Sequence, residues 1–217
     1  MTIDRRQLLL GTTAISLLAV AGCSDAQGGM LTGAEALVDT DELMKEGPLP
    51  DVVEGDPDAP VTIVEYASMT CPHCARFHTD TYPAIKEKYV ETGKARFILR
   101  EFPFDPRSAA AFMLARCAGD RRAPLVDALF ETQSTWARAE NGQAALFEIA
   151  RQAGFTEDSF QSCLTDQELL KNVTGTFERG QELGVESTPT FFINGSKFSG
   201  NMTPEAMGEA IEAALAG

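Results

Sequence analysis

Val61-Thr62-Ile63-Val64-Glu65-Tyr66 leads, after a four-residue connection, into Cys71-Pro72-His73-Cys74. The first six residues are mostly β-branched, aromatic or aliphatic, the pattern of a strand buried on both faces. Pro72 suits the first position of a helix, where the N–H it lacks would have had no partner. The amides of a first helical turn are unpaired and the helix dipole is positive there, so a thiol at that place has its thiolate stabilised. The second thiol follows three residues later, one turn on and within disulfide reach. A strand that hands two cysteines to the start of a helix reads as a redox site. The competing readings are a structural disulfide or half of a zinc site. Zinc needs about four ligands, and the only histidines, His73 and His78, crowd beside the same two cysteines. No metal is expected.

Outward from this stretch, Asp56-Pro57-Asp58-Ala59-Pro60 marks a turn before the strand. The helix is expected to run from Pro72, with a bend before Pro83, to about Glu91, and Gly93 ends it. Ala95–Phe102 reads as a second strand. Strand, helix and strand in this order make a right-handed βαβ unit. From about Asp105 to Gly184 the punctuation is helical throughout: Asp105-Pro106, Pro124, Gly154, Thr156 and Asp166 mark successive starts and stops. Strand signals resume at Thr190–Ile193. Asn194-Gly195 then calls for a two-residue hairpin into Ser196–Ser199, and a last helix starts at Thr203-Pro204. The fold class is therefore α/β, a thioredoxin-like fold with a helical insertion. Residues 51–104 and 185–217 form the thioredoxin-like domain and 105–184 the insertion.

Arg5 and Arg6 precede an apolar run from Leu8 to Val20, the form of an export signal over residues 1–22 and too short for a membrane span. Val20-Ala21-Gly22-Cys23 resembles a bacterial lipobox, in which Cys23 is lipidated. Ala19-Val20-Ala21 is the alternative, a simple cleavage site. Arg5-Arg6-Gln7-Leu8-Leu9 resembles a twin-arginine motif and departs from it at Asp4. Residues 23–50, rich in Gly, Asp and Glu, read as a flexible tether with room for a short helix near Ala34–Met44. Export places the five cysteines in an oxidising compartment, the periplasm. They divide into Cys23, the pair Cys71 and Cys74, and the pair Cys117 and Cys163. A Cys117–Cys163 bridge would close a loop of about 46 residues, contributing on the order of 4 kcal/mol in the chain-entropy account. A net charge of -14 argues against nucleic acid and anionic lipid head groups as partners.

The chain resembles the DsbA-like thiol:disulfide oxidoreductases, a branch of the thioredoxin superfamily. The resemblance rests on Cys71-Pro72-His73-Cys74 after a strand, Glu65 six residues earlier, the insertion, Ser187-Thr188-Pro189-Thr190 entering a strand, and the Phe-Ile-Asn-Gly hairpin. It covers about Pro50 to the C-terminus. It implies that Cys71 is the nucleophile, with Cys74 the deeper partner and His73 assisting the thiolate. It implies that Glu65 tunes or relays protons to Cys74, and that Thr188-Pro189 is a cis-proline segment turned toward Cys71 to receive a client peptide. The redox-active disulfide would serve without a bound cofactor. Clients would be exported proteins with free thiols, and a membrane quinone-linked partner would reoxidise a monomeric enzyme. Threonine at position 188 recurs in isomerase-like relatives and valine in several oxidases, so reductase or isomerase stays open beside oxidase. A peptide-binding chaperone or assembly factor is the reading from another class. Met69, Phe77, Phe102, Phe104 and Trp136 are open between a rim of the active site and the core.

Overall fold

The computed structural model describes residues 33–217. The signal expected over 1–22 and the lipidation expected at Cys23 lie outside them. The chain enters through β1 (Ala36–Leu37), α1 (Thr40–Met44) and β2 (Val53–Glu54), then β3 (Val61–Ala67). Next come α2 (Pro72–Arg76) and α3 (Tyr82–Ile85), then β4 (Ala95–Glu101). The insertion comprises α4 (Pro106–Cys117), α5 (Arg122–Glu131), α6 (Gln133–Trp136), α7 (Gly142–Gln152), α8 (Glu157–Leu164) and α9 (Gln167–Glu182). The fold closes with β5 (Thr190–Ile193), β6 (Ser196–Ser199) and α10 (Pro204–Ala216).

These strands make one six-stranded sheet in the order β1-β6-β5-β3-β4-β2. β3 lies at its middle, parallel to β4 (Val64 opposite Ile98) and antiparallel to β5 (Val64 opposite Phe192). Every residue of β3 is buried, because helices cover one face and the α9 side covers the other. That double cover is why its sequence shows no alternation. On the α9 side, Gly180 lets the helix approach so closely that a Cβ there would come within 2.9 Å of the Tyr66 and Phe102 rings. The hairpin turn has both central residues at positive φ, 45° for Asn194 and 86° for Gly195, as a type I′ turn demands. Asn194 also accepts the Thr62 amide at 2.8 Å, tying the hairpin to β3.

The structure gives the expected bend its form and corrects one other expectation. The helix after Cys71 is not regular: α2 and α3 are joined by a π-helical turn at Phe77–Thr81, and a second follows at Lys86–Val90. Pro83 has no N–H to give and its ring crowds the carbonyl four residues back, and the wider turn before it accommodates both. The tether expected over 23–50 is, in its described part, folded onto the sheet. β1 pairs with β6, and Leu43 of α1 is fully buried against Val64, Tyr66 and Phe192. Arg100 clamps this segment, donating to both carboxylate oxygens of Asp51 at 2.9 and 2.7 Å and to the Leu43 carbonyl at 2.8 Å. A few apolar residues suffice once a formed sheet offers them a surface, and composition averaged over the segment hides them.

Candidate active site

β3 ends at Ala67, and Ser68-Met69-Thr70 carry the chain across to Cys71. The insertion holds this connection from two sides. Ser108 of α4 accepts the Met69 amide at 2.9 Å and the Ser68 hydroxyl at 2.9 Å. Asp105 caps α4 by accepting the Arg107 and Ser108 amides at 2.9 and 3.0 Å, and its other oxygen accepts the Thr70 hydroxyl. From α6, the buried Gln133 amide donates to the Met69 carbonyl at 2.9 Å and to the Cys71 carbonyl at 2.8 Å. The strand-helix junction is thus anchored by groups distant in sequence.

Cys71 is the N-cap of α2, with extended backbone (φ −78°, ψ 119°) and Pro72 opening the helix. Its thiol is half-buried and that of Cys74 fully buried, and both are reduced here. The Cys71 thiol is brought down to about 5, first because Cys74 donates its S–H to it. Burial opposes this, while the Thr188 side chain and the backbone N–H groups of Cys74 and His73 favour the thiolate. The Thr188 Oγ1 is buried and has no geometric hydrogen-bond partner among the described residues. Cys74 moves the opposite way, well above the ordinary thiol range, through burial first, then the bond given to Cys71 and the charge of Glu65. Two cysteines one turn apart are therefore poised in opposite protonation states.

The Thr188–Pro189 peptide is cis, and the Cys71 Sγ lies 3.3 Å from the Thr188 carbonyl, to which it donates when protonated. Thr188, Pro189, Cys71 and Cys74 lie together in the structure. His73 is present differently: its side chain is exposed, and what reaches Cys71 is its backbone N–H. Of the five apolar candidates, Met69, Phe77, Phe102 and Trp136 are core, and Phe104 alone is exposed, at 55%. Cys117 and Cys163 are joined as a disulfide between the end of α4 and α8.

Glu65 has no exposed surface, and its Oε2 lies 2.8 Å from Nε2 of His78. Burial raises its carboxyl, and the charge and hydrogen bond of His78 work against that rise. His78 is itself buried, stacked on Phe130 with ring centroids 4.1 Å apart. From the sequence alone, His78 is a candidate only as a zinc ligand. Two signals pointed elsewhere: a buried carboxylate needs a partner, and a residue four after Cys74 shares its helical face. Among the described residues no cluster of His, Cys, Asp and Glu could hold a metal ion.

Known proteins share this fold. The thioredoxin family model matches residues 49–213. A Rickettsia bellii protein with the provisional name protein-disulfide oxidoreductase is 33% identical over 171 residues, 75% of this chain and 65% of that protein. Its counterpart in Rickettsia conorii is 32% identical, and this chain spans 60% of its length. The chain thus covers less than two thirds of these curated relatives. The crystal structure of Wolbachia pipientis alpha-DsbA1 is 31% identical with a TM-score of 0.75, covering 82% of this chain and 96% of that one. BdbD from Bacillus subtilis, at 22% identity, shares the fold with a TM-score of 0.70 over 87% of this chain and 99% of its own.

Proposed function

Because the chain belongs to the DsbA-like thiol:disulfide oxidoreductases of the thioredoxin superfamily, we propose that it oxidises the thiols of exported client proteins through Cys71 and Cys74. The observation that carries this reading is the opposed state of the two thiols: Cys71 at about 5 and Cys74 raised well above the usual range. A client thiolate attacks the sulfur of Cys71 in the oxidised protein. The Cys71–Cys74 bond breaks, Cys74 leaves with the electron pair and takes up a proton, and a mixed disulfide forms. A second client thiolate then attacks the client sulfur of that mixed disulfide, and Cys71 leaves as a thiolate. The client gains a disulfide, and the protein is left reduced. An easily ionised Cys71 is a good leaving group and stabilises the reduced protein, which makes the disulfide a strong oxidant.

Thr188 and Pro189 would offer backbone hydrogen bonds to an incoming extended peptide beside Cys71. Glu65 would serve the proton traffic of Cys74. Reoxidation falls to a membrane quinone-linked partner, and the setting is the periplasm, reached by the signal over 1–22 and held at a membrane through Cys23. The second reading, a reductase or isomerase, is favoured by Thr188, which puts a hydroxyl beside Cys71. The equilibrium of the Cys71–Cys74 couple against glutathione separates them. Ready reduction at low thiol ratios supports the oxidase. A disulfide that resists reduction as firmly as that of thioredoxin removes it.

A further inference from the structure

Glu65 and His78 each use one atom on the other and leave the outer atom free. Oε2 and Nε2 are 2.8 Å apart, whereas Oε1 of Glu65 and Nδ1 of His78 are both buried without a hydrogen-bond partner among the described residues. A pair made only for packing strength would have both outer atoms satisfied, since each unpaired buried polar atom costs stability. Two bifunctional groups bonded at their inner atoms and open at their outer ones have the form of a two-ended proton relay. The two ends face different surroundings. Glu65 lies on β3 close enough to Cys74 for its charge to act on that thiol. His78 lines a surface cavity of about 170 Å³ with Tyr82, Lys86, Asp127, Phe130 and Glu131.

We propose that His78 carries protons between that lateral cavity and Glu65, so that Cys74 gains and loses its proton through the flank of the helix rather than past Cys71. The proposal rests on the redox role of Cys71 and Cys74 given above. When Cys74 leaves as a thiolate, the Glu65 carboxyl gives it a proton and becomes a carboxylate. His78 Nδ1, buried beside the cavity in this structure, takes a proton when cavity water reaches it, and the imidazolium passes its Nε2 proton to Glu65. This leaves the proton on Oε2 of Glu65 and His78 as its Nδ1–H tautomer, which reoxidation converts back. One proton enters from solvent, one S–H bond forms, and the pair returns to zero net charge, the state a buried site favours. Reoxidation runs the same steps in reverse.

The groups around the relay fit this traffic. Asp127 and Glu131 on α5 put carboxylates at the cavity, and the charge of His78 is felt by Asp127. Lys86 stands in the same cavity but is held by Glu54 at 3.1 Å, as is the Tyr82 hydroxyl at 2.9 Å. Both are thereby engaged away from His78. Tyr82 and Phe130 contribute rings, 5.4 and 4.1 Å from the imidazole, that orient it without competing for its nitrogens.

The test compares the wild-type protein with His78→Gln, whose amide can still donate to Glu65 but cannot take up and pass on a proton, and with His78→Ala. The reduction of the Cys71–Cys74 bond by a dithiol peptide is followed against pH, in H2O and D2O. His78→Gln should slow that step on the order of a hundredfold and remove its solvent isotope effect. The alkylation midpoint of Cys71 in the reduced protein should stay at about 5. His78→Ala should recover rate in proportion to added imidazole. Equal rates for wild type and His78→Gln across the pH range overturn the relay. So does a shift of the Cys71 midpoint that accounts for the slowing, because His78 would then be shaping the thiolate. A wild-type protein that fails to oxidise the peptide sinks the oxidase reading instead. The same variants are then compared in the reduction of a disulfide peptide, where Cys74 must release its proton and the same slowing is expected.

Discussion

Gln133 Nε2 lies 2.8 Å from the carbonyl oxygen of Cys71, joining the helical insertion to the N-cap of α2. The same nitrogen reaches the Met69 carbonyl at 2.9 Å, so both protons of one buried amide are spent on the strand-helix junction. The insertion is therefore part of the frame that aims Cys71.

Gln133→Leu keeps the bulk and removes both donors, leaving the Met69 carbonyl buried with no donor from α6. The expected loss is about 1–3 kcal/mol of stability, read by urea unfolding. The alkylation rate of Cys71 should change as well, because its carbonyl is released. Unchanged alkylation together with lost stability would make Gln133 a packing residue only.

Stability should follow pH differently in the two redox states. In the reduced protein the Cys71 thiol is depressed to about 5 from an ordinary value near 9. A depressed acid contributes stability that is fully present above its unfolded value and is lost as pH falls through its folded value. The melting temperature of the reduced form, relative to the oxidised form, should therefore climb from about pH 5 toward pH 9. Cys74, shifted upward, retains its proton there and subtracts from that gain only above the ordinary thiol range. A difference that stays flat across this window would contradict the assignment of a stabilised Cys71 thiolate.

The Cys117–Cys163 disulfide spans 46 residues. Replacing both cysteines by Ala should cost about 4 kcal/mol through the freed unfolded chain, or on the order of 10 °C in melting temperature. The bridge sits at the end of α4 opposite Asp105, the residue that touches Thr70. Alkylation of Cys71 should accordingly keep its pH profile in the double variant, and a displaced profile would count against a purely structural bridge.

Leu43→Ala tests the docking of the entering segment. Its side chain is fully buried, and truncation should cost about 2–5 kcal/mol. A cost near zero in thermal unfolding would return residues 33–50 to the status of a tether.

How much was legible beforehand can be judged from particular residues. Cys71, Pro72 and Cys74 were readable because a helix start is local: one proline, two thiols and a preceding strand are enough to specify it. The cap residues Asp105, Thr156, Asp166 and Thr203 were each marked by side chains that bond amides two or three residues on. The Asn194-Gly195 turn was readable for the same reason. The insertion's short α6, and with it Gln133, was missed, since four residues give no period to detect.

What the sequence determined by itself was the order of strands and helices and the identity of the thiol pair, because both are governed by interactions spanning a few residues. What only the tertiary structure decided was the company those residues keep. Gln133 meets Cys71 across 62 positions, Cys71 meets the Thr188 carbonyl across 117, and Glu65 meets His78 across 13. Contacts at such separations form only when packing removes water from the sheet and the helices around it. A buried Glu65 must then find a partner among the groups that the fold places beside it. The spacing of two cysteines puts two thiols one helical turn apart. The balance of charge between them is set by burial, by helix amides and by neighbours that no local pattern reveals.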